Sequence, residues 1–294
     1  MTAPPGAVAP GPRRRAAAWL GALDELLGRR VVFRSFARLR MLCGPITLWH
    51  LWPFLAGSLD GRTYRNAYWR PYASWLPEVP TPLYLVALWL GAGAAVAMTV
   101  GWRAQAATRV AACVVAGNLL VSSTHFHNNR AYLALVLAAL AIGPCDRRDA
   151  VGPAWPLWLL RFEASCVYLG SGLSKLLDAD WFAGTVTWQR VVQVRGLVEA
   201  SPLPGPVVEL LVDPGFHTVA AKAIIATEWF IGLGLWWPRT RRKAIAVAIA
   251  FHLAIWVSAE VQVFSALGIA ALVIWARPQR APQRPGDQRA VIGT

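Results

Sequence analysis

Pro82-Leu-Tyr-Leu-Val-Ala-Leu-Trp-Leu-Gly-Ala-Gly-Ala-Ala-Val-Ala-Met-Thr-Val-Gly101 carries no charged side chain. As a helix rising 1.5 Å per residue it is long enough to cross the roughly 30 Å of bilayer hydrocarbon. The same reading extends outward in both directions. Toward the N-terminus it gives Met41–Leu59, interrupted by Pro45, His50 and Pro53. Toward the C-terminus it gives Ala106–Ser123, a short segment Asn129–Gly143, Trp155–Leu177 and Val219–Trp237. The apolar region Ala244–Ala276 is too long for one ordinary crossing. The polar break Ser258-Ala259-Glu260, with Gln262, predicts two short spans or a re-entrant pair there. The expected fold class is therefore all-α: a polytopic transmembrane helical bundle of about eight membrane segments, with a re-entrant pair as the alternative for the last two.

Composition agrees. Of the 294 residues, 56% are hydrophobic and 15% charged, against about 25% charged in soluble domains. The sixteen Trp suit the headgroup level of a membrane. A net charge of +14 would point to nucleic acid in a soluble protein, but here Arg-rich loops that fix orientation explain it, and nucleic acid is not an expected partner. The four cysteines (Cys43, Cys113, Cys145, Cys166) form no CxxC pair, which argues against a zinc site or a disulfide framework.

The positive-inside rule sets the expected topology. With eight crossings and both termini cytoplasmic, the outer side carries only Arg62, Arg65, Arg70, Arg130, Lys175, Arg190, Arg195 and Lys222 of the 29 Lys and Arg. One crossing fewer would put Arg277, Arg280, Arg284 and Arg289 outside. Residues 1–40 then read as a cytoplasmic tail with a basic interfacial helix, 41–276 as the membrane domain in a cell membrane, and 277–294 as a disordered basic tail. Trp181–Val194 is amphipathic enough to lie along the outer surface.

This orientation gathers the polar motifs on one face. His125 and His127 lie two apart; as metal ligands they would need a third, such as Asp178, Asp180 or Glu260, and as interfacial hydrogen-bonders they need none. Lys175 either snorkels to the interface and pairs with Asp178, or sits in the apolar bundle as a base. Arg161, Glu163, Glu228 and His252 lie deeper, where ionisable groups must find partners. The expected structural pairs are Arg161–Glu228 or Arg161–Glu163, with His252 bonding Glu228; the functional alternative is a proton path or ligand cavity.

The run Gly172-Leu-Ser-Lys175-Leu-Leu-Asp178-Ala-Asp180-Trp181-Phe-Ala-Gly184 resembles the membrane domain of vitamin K-dependent gamma-carboxylase and its bacterial HTTM (horizontally transferred transmembrane) relatives. Asn128-Asn129-Arg130-Ala-Tyr132-Leu133 is similar to the family's Asn-Asn-His-x-Tyr-Leu, and Phe251-His252 through Phe264-Ser265 to its late Phe-His…Phe-Ser stretch. The likeness runs from about Arg34 to Ala276. It implies that Lys175 is the base that deprotonates a reduced quinone cofactor, with Asn129, His127 and His125 assisting and Asn128, Trp181 and His252 near the cofactor. Arg130 stands where the family has an assisting His, and Arg cannot serve as a base. One extra Leu separates Lys175 from Asp178, and the chain ends where the carboxylase continues into a β-rich domain. Gamma-glutamyl carboxylation itself is therefore not expected. The expected functions are a membrane enzyme using a lipid-soluble quinone-type cofactor, or a non-catalytic partner in maturation or export of a secreted peptide, alongside a redox partner protein. A transporter is disfavoured by the lack of an inverted repeat.

Overall fold

A computed structural model describes residues 12–59, 70–258, 261 and 263–276, with side chains from Ala17 and excluding 58 and 59. Glu260, Gln262 and the C-terminal tail lie outside the described residues. Among the described residues the regular elements are helices apart from one small ladder, in which β1 (Arg30–Val32) pairs antiparallel with β2 (Val151–Pro153). This ladder was not expected. It ties the start of the first long helix to the loop before α6 (Trp155–Leu177).

An N-terminal helix, α1 (Pro12–Gly28), exposes Trp19, Leu20, Leu23 and Leu26. α2 (Arg34–Leu59) begins before the expected Met41, so Arg34, Arg38 and Arg40 belong to the helix itself. Arg40 is buried and donates to the Met98 carbonyl, which gives its charge a partner inside the bundle. α3 (Thr81–Val100), α4 (Ala104–Leu120) and α5 (Asn128–Ile142) follow the expected segments closely. α11 (Pro214–Gly234) follows the short helices of the connecting segment. Ala244–Ala276 divides at its polar break into α12 (Arg241–Ser258) and α13 (Phe264–Ala271), the latter continued by a 3-10 turn, Leu272–Trp275.

By length and composition one described helix, α3, is able to cross a membrane, and α4, α5 and Phe264–Trp275 are shorter apolar helices. α3 buries Tyr84, Leu88, Ala95 and Met98 while exposing Leu83, Val86, Trp89, Leu90 and Val96. Exposed apolar side chains in that number are an adhesive patch in water and a matched surface in lipid.

Small residues let the helices approach. A Cβ on Gly172 of α6 would lie 2.3 Å from the Trp229 ring of α11, and one on Gly232 of α11 would lie 2.8 Å from Leu169. The Trp236 indole donates to Ser165 Oγ at 2.7 Å. These three contacts pair 172 with 229, 169 with 232 and 165 with 236, so α6 and α11 run antiparallel. In this register position 177, the end of α6, faces position 223 or 224. The first turns of α11 therefore project beyond α6 by about 14 Å at 1.5 Å per residue.

Four short helices fill the step: α7 (Ala179–Ala183), α8 (Thr185–Gln193), α9 (Arg195–Glu199) and α10 (Gly205–Val212). They are clasped to the overhanging end of α11. Thr218 Oγ1 donates to the Ala183 carbonyl at 2.8 Å, His217 Nε2 donates to the Leu211 carbonyl at 2.7 Å, and Trp188 Nε1 donates to Val212 at 3.3 Å. Gly184 holds φ +86, and a Cβ there would lie 2.5 Å from the backbone of His217 and Thr218. Gly184→Ala is expected to destabilise by at least the roughly 1–2 kcal/mol of a left-handed non-glycine residue. Gly196→Ala, where nothing lies within 4 Å, serves as the control, with thermal unfolding in detergent as the measurement.

Candidate functional site

Ionisable side chains inside an apolar bundle need partners within it, and the α6–α11 register decides which. Lys175, in the last turn of α6, lies beside the middle of α11. Its Nζ donates to Glu228 Oε1 at 2.7 Å and Oε2 at 3.0 Å. Ser171, one turn earlier, donates to Glu228 Oε1 at 2.9 Å and also lies within hydrogen-bonding reach of Nζ. The two charged side chains are 15% and 5% exposed, so this pair is shielded from solvent although Lys175 ends its helix.

The expected Lys175–Asp178 pair is replaced by this arrangement. Asp178 instead starts α7, where its Oδ1 accepts the backbone N–H groups of Asp180 and Trp181, the usual work of an N-cap carboxylate. The cap sets Trp181 over the lysine, with its ring centroid 5.1 Å from Nζ. The Arg190 guanidinium lies 5.8 Å from the same ring.

Deeper in the bundle, Tyr168 and His252 are joined at 2.7 Å between Oη and Nε2, and both are buried. The expected His252–Glu228 bond does not form: Nε2 bonds Tyr168, and Nδ1 is buried with no hydrogen-bond partner. Phe251 and Phe264 pack on the imidazole, and Gly268 leaves it room: a Cβ there would lie 2.2 Å from Nε2.

Asn129 comes from the start of α5. Its Nδ2 donates to the Val261 carbonyl at 3.3 Å, linking α5 to the break between α12 and α13. Among the described residues no hydrogen bond joins Asn129 to Lys175. Asn128 is the first residue of α5, and His127 is its N-cap, accepting from Asn129 N at 3.2 Å. His125 is buried, and its Nδ1 bonds the Asn118 carbonyl at 3.1 Å. Burial pushes its imidazole below the ordinary value; the bond to Asn118 opposes this, and the nearby Arg130 adds to the lowering. The two histidines thus do separate jobs. Among the described residues no three His, Cys, Asp or Glu are grouped to hold a metal ion.

A family model for the HTTM domain matches residues 29–279. This chain belongs to the HTTM family. No curated protein and no solved structure matches it.

The match takes in everything from β1 to the end of the last helix, so the Lys175–Glu228 pair lies inside the HTTM domain. At the other end of the domain, Arg161 corrects a second expectation. It pairs with neither Glu163 nor Glu228. Its Nε and Nη2 donate to the Ile274 carbonyl at 3.1 and 2.9 Å, and Nη2 reaches Ala276 at 3.3 Å. Trp158 and Trp275 flank its guanidinium at 5.3 and 5.2 Å. Arg161 thereby satisfies carbonyls that the end of a helix leaves open. Glu163 Oε2 is buried with no hydrogen-bond partner.

Sequence reasoning missed Ser171 and Tyr168. A signal for the lysine's true partner was present: Glu228 is the only acidic residue in Pro214–Gly234, and a buried carboxylate needs a cation. Choosing Lys175 over Arg161 required the helix register.

Proposed function

We propose that this HTTM protein is a multi-pass cell-membrane protein of about eight crossings with both termini cytoplasmic, which acts on a lipid-soluble reduced quinone at its outer face with Lys175 as base. The observation that carries the reading is the shielded Lys175–Glu228 pair beneath Trp181. A free ammonium is no base, but a carboxylate bonded to it can take its proton. Proton transfer from Nζ to Glu228 Oε1 would leave a neutral amine able to accept a hydroxyl proton, with Ser171 holding the carboxylate in place.

The residues fit such a cofactor in this respect. A reduced quinone supplies an acidic phenolic hydroxyl and two reducing electrons. Lys175 would receive its proton, and the Trp181 ring would face it. Asn129 bonds Val261, and among the described residues no hydrogen bond joins His127, Asn128 or His252 to Lys175. They stand as candidates on the family resemblance alone.

Lys175→Arg tests the role. Arginine keeps a cation for Glu228 but cannot give up its proton at ordinary pH. In proteoliposomes supplied with reduced quinone, oxygen-dependent quinol consumption is expected to fall at least 100-fold while the thermal midpoint stays near wild type. Consumption unchanged by Lys175→Arg removes the base assignment.

The clasped arm α7–α10 favours a second reading, a non-catalytic partner for a secreted peptide. It exposes Phe182, Val192, Val194, Leu197 and Leu210 beside Arg190 and Arg195. Under that reading Lys175→Arg leaves function intact, and changes across Trp181–Arg195 weaken capture of the peptide.

A further inference from the structure

Exposed tryptophans mark one end of the bundle. β1 precedes α2 and pairs with β2, which precedes α6, so both helices start at that end. Arg40 reaches the Met98 carbonyl, which brings the end of α3 there, and the antiparallel register of α6 and α11 brings the end of α11. Trp102 after α3, Trp155 at the start of α6 and Trp237 after α11 are all exposed, as indole rings are at a headgroup level. Arg38, Arg103, Arg239 and Lys243 are exposed at the same end. α1 leads into β1 and therefore joins the bundle at this level.

α1 meets the bundle at α6, yet among its described side chains only Leu27 is half-buried and the rest are exposed. Trp19, Leu23 and Leu26 recur at i, i+4 and i+7, with Leu20 beside them, and form one apolar stripe. Trp19 and Leu20 are 78% and 67% exposed, a surface that calls for an apolar cover. The charges run against the helix dipole. Arg13, Arg14 and Arg15 occupy the first turn, which holds no acidic residue, while Asp24 and Glu25 lie toward the C-terminal end. The N-terminus is the positive end of a helix and favours anions, so this order is stabilised where an anionic surface faces the first turn. Exposed Arg29 and Arg30 continue the positive charge past the helix. Residues 12–30 thus carry five arginines against two acids. A second copy would double that excess, whereas an anionic surface cancels it.

We propose that α1 is an anchor lying in the plane of a leaflet that contains anionic phospholipid. Trp19, Leu20, Leu23 and Leu26 enter the boundary between headgroups and acyl chains, and lipid phosphates neutralise the arginines at both ends of the helix. The anchor needs the bundle to sit in a bilayer but does not depend on the role given to Lys175.

Full-length protein is spin-labelled at position 23 or 25 through Leu23→Cys or Glu25→Cys, with the two exposed cysteines removed as Cys113→Ser and Cys166→Ser. The two positions lie about 200° apart on a helix, so they sample opposite faces. Collisional access to oxygen and to a water-soluble nickel chelate is read in nanodiscs of phosphatidylcholine, with and without phosphatidylglycerol. With phosphatidylglycerol, position 23 is expected to lose about fivefold in nickel access or more, while position 25 stays open to the chelate. Arg13→Gln, Arg14→Gln and Arg15→Gln, each expected to weaken docking about fivefold, together return position 23 to the chelate. Lys175→Arg is expected to change none of these readings, so failure of the base assignment and failure of the anchor are read separately. Equal access at the two positions, the same burial of position 23 without phosphatidylglycerol, or burial that survives the triple substitution overturns the proposal. So does dipolar broadening between labels, which would place a second copy on the stripe.

Discussion

Lys175→Met is expected to destabilise the folded protein by about 3–5 kcal/mol, because it leaves the Glu228 carboxylate buried without its cation. Glu228 is 5% exposed and depends on Lys175 Nζ and Ser171 for its hydrogen bonds. Ser171 supplies one donor, which cannot replace two contacts from an ammonium. Glu228→Leu alone should cost a similar amount by stranding the lysine, although Lys175 at 15% exposure has some room to turn outward. The double substitution Lys175→Met, Glu228→Leu is expected to recover most of the loss, since a buried ion pair replaced by packed apolar groups is often neutral. Reversible unfolding of the four proteins in mixed micelles gives the coupling energy directly. Additive losses in the double variant would mean that the pair is not coupled. This cycle also frames the activity test: the double variant should be folded yet inactive, which separates loss of chemistry from loss of structure.

Arg161→Ala is expected to cost about 3 kcal/mol. Charged hydrogen bonds contribute about 1.5–3 kcal/mol, and stacking a cation on aromatic rings adds about 0.5–2 kcal/mol. The side chain holds the Ile274 and Ala276 carbonyls and lies between Trp158 and Trp275. Trp275 in turn packs edge-on against Trp236, which stacks on Trp158. Removing the guanidinium therefore opens helix-end carbonyls and loosens the seat of the last helix together. Arg161→Lys should recover less than half of the loss, because an ammonium cannot present the planar fork that spans these contacts. Denaturant unfolding in detergent, with fluorescence of the tryptophan cluster as the probe, checks both. Full rescue by lysine would assign the effect to charge alone.

The resemblance was legible in a short run of residues, and the family match over 29–279 bears it out. The helices were legible too, since long uncharged stretches such as Pro82–Gly101 have few alternatives. α6 was read to its observed ends, Trp155–Leu177. The start of α2 was misplaced because its arginines looked like a headgroup-level flank. Arg40 shows why that signal failed: a charge can lie inside a helix bundle when a carbonyl from another helix meets it.

Partnerships were not legible. Lys175 and Asp178 are close in sequence, and Arg161, Glu163 and Glu228 were natural candidates for one another. The chain instead sets Lys175 on Glu228, Arg161 on helix-end carbonyls and His252 on Tyr168. Each choice follows from the α6–α11 register and from the seating of α12 and α13, which arise from glycine contacts and aromatic packing between segments distant in sequence.

By itself the sequence determined the apolar helical character of this protein, its family and its candidate lysine, because hydropathy and motif spacing are local properties. The tertiary structure alone decided which charges neutralise which, and that the helix-ending lysine lies beside the middle of α11 beneath Trp181. Those are relations between helices, set by packing register, and one strand of letters does not carry that register.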